Sequence, residues 1–441
     1  MYRASPPWPF PSPHRERDVP SKSPTPYLLV LNCGQLLTLK GPRRPRRGAE
    51  MGDLGLIRHG AVLIQERDIL AAGPQGAVRR RPEARRAEVL DAQGRVVLPG
   101  FVDSHTHALY PASRVDDYVM RIQGRTYEQI AKAGGGIQAS ARRLRGMTEA
   151  MLARRLTETL PQFMRHGTTT VEVKSGYGLE VDQELKMLRA IRTAAITSPI
   201  EVVPTLLAHA VPARYRTRPA AYTTEFRLRL IPSVVRTGLA EFVDVFCDRG
   251  FFSLADTRRI LSTALESGLK LKVHAEQLTR TGAATLAAGL GAVSADHVDR
   301  LSASDIRALA TSQIIATLLP GSVLHLASGA FAPARRLIDG QVPVALATNF
   351  NPGSSPTPNM QMILSLACSQ MRMTPAEAVT AATINGAYAL DRGHVSGSLE
   401  LGKQADVAIM DLTDYREIPY YFGMNHCWGV IKKGRVVYLK R

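Results

Sequence analysis

Cysteine is scarce in this chain: four in 441 residues, Cys33, Cys247, Cys368 and Cys427, far apart and forming no CxxC pair. That scarcity argues against a disulfide framework or a cysteine-built zinc module and makes a reducing cytoplasm the expected compartment. Long apolar runs are missing too. The opening stretch MYRASPPWPFPSPHRERDVPSKSPTP is broken by prolines and charges and holds no signal-peptide core. No later stretch reaches the roughly 18 uninterrupted apolar residues of a membrane helix, so a soluble protein is expected. Acidic residues are also few, 38 against 56 Lys and Arg, for a formal charge of +18. A basic excess raises nucleic acid, an acidic membrane surface or an anionic small molecule as partners. The arginines, however, gather in loop-like stretches, PRRPRR and VRRRPEARR, without an interleaved aromatic platform. The charge is therefore read as favouring an anionic small molecule, with neither nucleic acid nor membrane as partner.

What is present is a globular composition, 45% hydrophobic and 21% charged, too apolar for a disordered chain. Its length suits one large domain and one small one. Residues 1–26 read as a disordered Pro-rich extension. From Tyr27, YLLVLNCGQLLTL, AVLIQERDILAAG and EVLDAQGRVVLPG read as short strands, and ADVAIMDL and WGVIKKGRVVYLK repeat the style near the C-terminus. Residues 27–97 and 398–441 are thus expected to form a small β-sandwich domain from both chain ends.

The middle, residues 98–397, alternates β-branched apolar runs with amphipathic helical stretches, the pattern of βαβ units. Candidate strands are GFVDSH from 100, TTTVEV from 168, EVVPTLLA from 201, FVDVFC from 242, LKLKVH from 269, GAVSADH from 291, QIIATLLP from 313 and VPVALAT from 342. Stretches 180–196 and 253–268 read as helices between them. Eight such units predict an α/β fold, a (β/α)8 TIM barrel.

Polar residues recur at the C-terminal ends of these strands, the face where barrel active sites lie. The first ends in His105-Thr106-His107, the fifth in His274-Ala275-Glu276-Gln277, the sixth in Asp296-His297, the eighth in Thr348-Asn349-Phe350-Asn351. Residues i and i+2 of a strand face the same way, so His105 and His107 can share one ion. Three histidines and a water form a common catalytic metal set. An HxH alone more often marks two hydrogen-bonded turn histidines; HAEQ and DH at matching strand ends favour the metal. His14, His59, His166, His325, His394 and His426 lack such context and read as surface or packing residues.

PGFVDSHTH, followed by HAEQ, SADH and the strand-eight tip, resembles the amidohydrolase superfamily. The stretches SRVDDYVMRIQGRTYEQI, HGTTTVEVKSGYGLEVDQELKMLR, DVFCDRGFFS, KVHAEQLTRTGAATLAAGLGAVSADHV and VALATNFNPGSSPTPNMQMILSLAC are most similar to its imidazolonepropionase branch, over about residues 27–441. The resemblance implies hydrolysis of 4-imidazolone-5-propanoate to N-formimidoyl-L-glutamate in histidine degradation. It implies one zinc or iron ion on His105, His107 and His274, with Asn349 at the strand-eight ligand position. Glu276 would shuttle the proton from the water to the ring nitrogen, and His297 would polarise the carbonyl or hold the water. Arg114 would bind the propanoate carboxylate, which suits its two-pronged donor geometry. Tyr177, His209 and Gln277 would line the pocket, and Asn351, Gly353 and Ser354 would supply polar and backbone contacts. A homodimer is left open.

Two features qualify the resemblance. Asn349 stands where the family normally has Asp, and an amide carries no charge and cannot act as a base; Glu276 is then the remaining base. Lys174 resembles the carboxylated lysine of binuclear relatives such as dihydroorotase, but the adjacent SGYG matches the mononuclear branch, so Lys174 is read as structural or solvated. Competing readings are a nucleobase-type aminohydrolase, which would not need Arg114, and a barrel with catalysis weakened at Asn349.

Overall fold

The computed structural model describes residues 26–440. The extension expected over residues 1–26 lies outside them save for Pro26. Two eight-stranded sheets organise the rest. In the first, β1 (Tyr27–Leu37), β2 (Leu56–Gln65) and β3 (Asp68–Pro74) form an antiparallel meander, and β4 (Glu88–Asp91) and β5 (Val96–Pro99) follow. The long β1 serves two partners on one edge, pairing in parallel with β4 through Leu28–Leu31 and with β5 through Gln35 and Leu36.

Gly100 then turns the chain into the barrel. Its missing side chain is required, because a Cβ there would lie 2.1 Å from the Thr169 side chain. The barrel strands are β6 (Phe101–Asp103), β7 (Thr168–Lys174), β8 (Glu201–Ala208), β9 (Phe242–Cys247), β10 (Lys270–Ala275), β11 (Ser294–His297), β12 (Ile315–Leu318) and β13 (Val344–Leu346). They pair in parallel in strict chain order, and each coincides with one of the eight expected runs. Such strands are covered on both faces, which is why they read as nearly continuous apolar text. Helices cover the outside; Val181–Thr197 and Leu254–Glu266 match the expected helical stretches and bury one stripe each.

The barrel ends are joined beyond β6 and β13 rather than by a strand ladder. Asn349 N–H donates to the His105 carbonyl at 3.0 Å and His107 N–H to the Phe350 carbonyl at 2.9 Å. Thr348 donates to the Asp103 carboxylate from its N–H at 2.9 Å and from its hydroxyl at 2.6 Å. The seam therefore fixes both functional strand ends against each other.

The chain finishes in the first sheet. β14 (Val407–Met410) pairs antiparallel with β5, and β15 (Cys427–Lys432) and β16 (Arg435–Leu439) continue outward. The two ends thus make one mixed sheet. It is bolted to the barrel floor by Lys432 Nζ, 2.7 Å from Asp406 and 3.3 Å from Glu201; on the barrel side Arg392 reaches the same Glu201 at 2.8 Å and Glu241 at 2.6 Å. No helix among the described residues is long and apolar enough to cross a membrane.

Candidate active site

Strand alternation places His105 and His274 side by side at the C-terminal mouth of the barrel, ring centroids 4.5 Å apart. His107 flanks the pair on one side, 5.3 and 5.4 Å away, and His297 on the other, 5.6 and 5.4 Å away. All four are buried. Burial, reinforced by the neighbouring imidazoles and Lys174, holds His105, His107 and His297 well below the usual imidazole range, so each keeps a lone pair.

Carboxylates beneath the rings decide which nitrogen is free. His105 Nδ1–H donates to Asp296 Oδ2 at 2.6 Å, and His274 Nδ1–H donates to Asp244 at about 3 Å. Both rings therefore turn Nε2 toward the mouth, the arrangement that fixes metal-binding histidines elsewhere. The Nε2 of His105 has no hydrogen-bond partner, and the Nε2 atoms of His274 and His107 face each other at 3.4 Å. With His274 Nδ1–H committed to Asp244, this pair of nitrogens can share one proton or turn both lone pairs on a cation between them. Nitrogens of His105, His274 and His297 also lie within 4.8 Å of one another. The donor set fits a single ion of the kind that prefers imidazole, zinc or iron among them.

A second trio, His105, Asp244 and Asp296, is grouped as tightly, but lysines already neutralise it. Lys174 Nζ lies 2.7 Å from Glu172 and 2.8 Å from Asp244; Lys272 Nζ lies 3.3 Å from Glu172 and 3.5 Å from Asp296. Burial opposes the Lys174 charge, yet Asp244, Glu172 and Asp296 outweigh it and raise the ammonium above its usual range. Lys174 is thus interior and paired with carboxylates, not solvated. Removing one member of such a network would cost about 3–5 kcal/mol.

The expected pocket residues fall into two groups. Arg114, Tyr177 and His209 come together. The His209 ring stacks on His107 with centroids 5.2 Å apart and meets Tyr177 edge-on at 5.4 Å, and the Arg114 charge bears on both. His209 Nδ1–H donates to the Gly176 carbonyl at 3.1 Å, and burial chiefly lowers this imidazole to about 3. It is a neutral ring with a free Nε2. Asp117 Oδ2 takes the Nε and Nη2 of Arg114 at 2.7 and 2.6 Å, leaving Nη1 beside Gly353, where a Cβ would lie 2.5 Å away. Burial raises the Tyr177 phenol above its usual range, so it stays protonated.

The second group is differently employed. Asn351 Oδ1 accepts the N–H groups of Gly353 and Ser354, both at 2.8 Å, and its Nδ2 donates to Ser354 Oγ at 2.8 Å. The N–H groups of Gly353 and Ser354 are thus engaged inside their own turn, while the Gly353 carbonyl accepts from Arg121 Nη1 at 3.1 Å. Asn351 Nδ2 also donates to the Asn349 side-chain oxygen at 3.2 Å, which turns the Asn349 NH2, a non-ligand, the other way. Gln277 is half-buried and has no side-chain partner among the described residues; its loop is held by Asp248, which accepts from Leu278 and Thr279 N–H at 2.7 and 3.0 Å.

Glu276 departs most from expectation. Its Oε1 accepts from Thr281 N–H and hydroxyl, both at 3.2 Å, from Gly282 N–H at 2.7 Å and from Ala283 N–H at 2.8 Å; Oε2 accepts from Ala284 N–H at 2.9 Å. The left-handed backbone at Glu276, φ +50, swings the side chain to the start of helix Ala283–Gly289. A carboxylate with five donors clamps this loop. On the sixth strand, by contrast, His297 Nδ1 and Asp299 Oδ1, its neighbour across a 4.0 Å ring–carboxylate gap, both lack partners.

Sequence reasoning missed Asp244, Asp296 and Lys272 as supports of the histidines and Asp117 as the support of Arg114. The signal was present: single charged residues at alternate positions of otherwise apolar strands, as in FVDVFC and LKLKVH.

The amidohydrolase family model matches residues 96–437. The imidazolonepropionase of Geobacillus kaustophilus strain HTA426 is 47% identical over 414 residues, covering 93% of this chain and 97% of the relative. That of Solibacter usitatus strain Ellin6076 is 45% identical over 410 residues, covering 93% and 98%. Among solved structures, guanine deaminase from E. coli superposes with a TM-score of 0.69 over 94% of this chain and 99% of its own, at 17% identity. An adenosine deaminase from Xanthomonas campestris with bound zinc gives 0.65 over 93% of each chain, at 19% identity. Those two likenesses speak to the fold alone.

Proposed function

The chain belongs to the amidohydrolase family, in its imidazolonepropionase branch, and from that premise we propose how its residues divide the work of ring opening. The reaction adds water across the C–N bond between the ring carbonyl carbon and the adjacent nitrogen of 4-imidazolone-5-propanoate. Oxygen joins the carbon, the nitrogen leaves with a proton, and the product is N-formimidoyl-L-glutamate, a step of histidine degradation.

The observation that carries the reading is the cluster of buried histidines in which Asp296 and Asp244 hold Nδ1 of His105 and His274, so that both rings turn Nε2 toward His107 and the mouth. His105, His107 and His274 would hold one zinc or iron ion, with Asn349 and His297 at its rim. A metal bound there supplies an acidified water and polarises the carbonyl. His297, with its free Nδ1 beside Asp299, holds and moves the proton that Glu276 is not free to take. Arg114 receives the propanoate on the side of its guanidinium left open by Asp117. His209 offers Nε2 to a ring N–H, and the protonated Tyr177 donates to a ring acceptor. Gln277 and the turn Asn351–Ser354 shape the mouth, the turn doing so by fixing Asn349.

The half-open arginine favours a carboxylate-bearing substrate over a neutral nucleobase. The test is turnover of 4-imidazolone-5-propanoate by protein loaded with zinc or with ferrous iron, following product by mass and metal content in parallel. Metal-replete protein that forms no formimidoylglutamate would refute the assignment.

A further inference from the structure

Glu184 is out of place on its helix. Val181–Thr197 buries Val181, Met187, Leu188, Ile191 and Ala194, and Glu184 lies on the same stripe, 1% exposed. A carboxylate in that position is tolerated only if its oxygens are satisfied. They are satisfied by the turn that follows β7. Oε2 accepts from Gly176 N–H at 2.7 Å and Oε1 from Leu179 N–H at 2.6 Å, with Ser175 and Gly178 donating as well. The turn is one the chain would not adopt unaided: Leu179 sits at φ +62 and Gly176 at φ +107. A Cβ at Gly178 would lie 2.5 Å from the Glu184 nitrogen, so turn and helix are in direct contact.

This turn carries Tyr177, and its Gly176 carbonyl is the acceptor for His209 Nδ1–H. A carbonyl can only accept, so its placement decides which His209 nitrogen bears the proton. We propose that Glu184 is a positioning residue for substrate recognition: by clamping residues 175–179 it fixes His209 as the Nδ1–H tautomer. The pocket then presents one bare acceptor nitrogen beside one phenol donor, a pattern that selects a nitrogen heterocycle with a ring N–H. The inference rests on Tyr177 and His209 being substrate contacts.

Glu184→Gln keeps the shape but turns an NH2 toward a backbone N–H. In metal-loaded, full-length protein with ¹⁵N-labelled histidine, the His209 signal (assigned by its loss in His209→Asn) should report Nδ1–H in the native chain and mixed tautomers in the variant. KM for 4-imidazolone-5-propanoate should rise by ~10-fold or more, with kcat and metal content within ~3-fold. In a Tyr177→Phe background the same substitution should raise KM less, because the two act through one turn. An unchanged tautomer with unchanged KM would overturn the proposal, as would a parallel loss of kcat, affinity and metal. Should Glu184→Gln not fold, Glu184→Asp, too short to reach both N–H groups, is read in the same way. If the native enzyme leaves this substrate untouched, the substrate reading fails, and the tautomer comparison alone decides the role of Glu184.

Discussion

Replacing Glu276 by Gln separates a clamp from a base. In the clamp, Oε1 accepts four donors and Oε2 one. Glutamine keeps its single oxygen for the four and must turn its NH2 on Ala284 N–H. The loss is one charge-assisted hydrogen bond, about 1.5–3 kcal/mol, and the negative charge at a helix start, about 0.3–1 kcal/mol. The sum is roughly 2–4 kcal/mol of stability, read as a lower midpoint in urea unfolding at unchanged slope. Proton transfer is not touched, so kcat should fall less than ~10-fold and the shape of its pH profile should persist. Metal content should match the native protein. The opposite result, a ~10²-fold or greater drop in kcat with unfolding unchanged, would return Glu276 to the role of base and refute the clamp.

Three further outcomes follow from the geometry. His107→Ala should lose the metal, whereas His297→Ala should retain it and lose ~10²-fold or more in turnover; elemental analysis beside kinetics checks both, and the reverse pattern would move the ion to the His297 side. Asn349→Asp keeps an oxygen for Asn351 and points a second, charged one away from it; metal should resist chelators longer and turnover should rise by ~10²-fold or more, since Asp244, Asp296 and Glu276 are already engaged. Unchanged turnover would show that no charge is needed there. Glu201, whose burial is outweighed by Lys432 and Arg392, is lowered to about 2, so its contribution is present above the ordinary glutamate range and is lost as pH falls through about 2. Glu201→Gln should therefore cost about 2–3 kcal/mol at neutral pH, and the difference from the native protein should narrow by roughly 1 kcal/mol at pH ~3.5 in urea titrations.

The barrel was legible because buried parallel strands must be apolar on both faces, so each left an uninterrupted run such as FVDVFC or QIIATLLP. The convergence of His105, His107, His274 and His297 followed from their positions at strand ends. Side-chain direction did not follow. The HAEQ spacing puts Glu276 beside a histidine, but the left-handed backbone at Glu276 turns its carboxylate to a loop five to eight residues on. Nothing in composition announces that φ. Similarly, NFNPGSS reads as a row of ligand-facing polar groups, yet short polar side chains in a tight turn satisfy one another first. Lys174 reads as exposed or structural from a lone charge, and only its carboxylate neighbours, Glu172 two residues before it and Asp244 and Asp296 far along the chain, show it to be interior.

The sheet made from both chain ends bears on how the protein is synthesised. β5 has β1 on one edge and β14 on the other, and the whole barrel lies between them in the chain. A ribosome therefore releases β1–β5 with the apolar edge of Val96–Pro99 bare until the last strands emerge. Bare strand edges recruit other chains, and pairings this distant form slowly. A premature stop before Val407 would not shorten a tail; it would leave that edge permanently uncapped. Truncated copies should accumulate as aggregates rather than as free barrels, and nascent chains should depend on chaperone cover through most of translation.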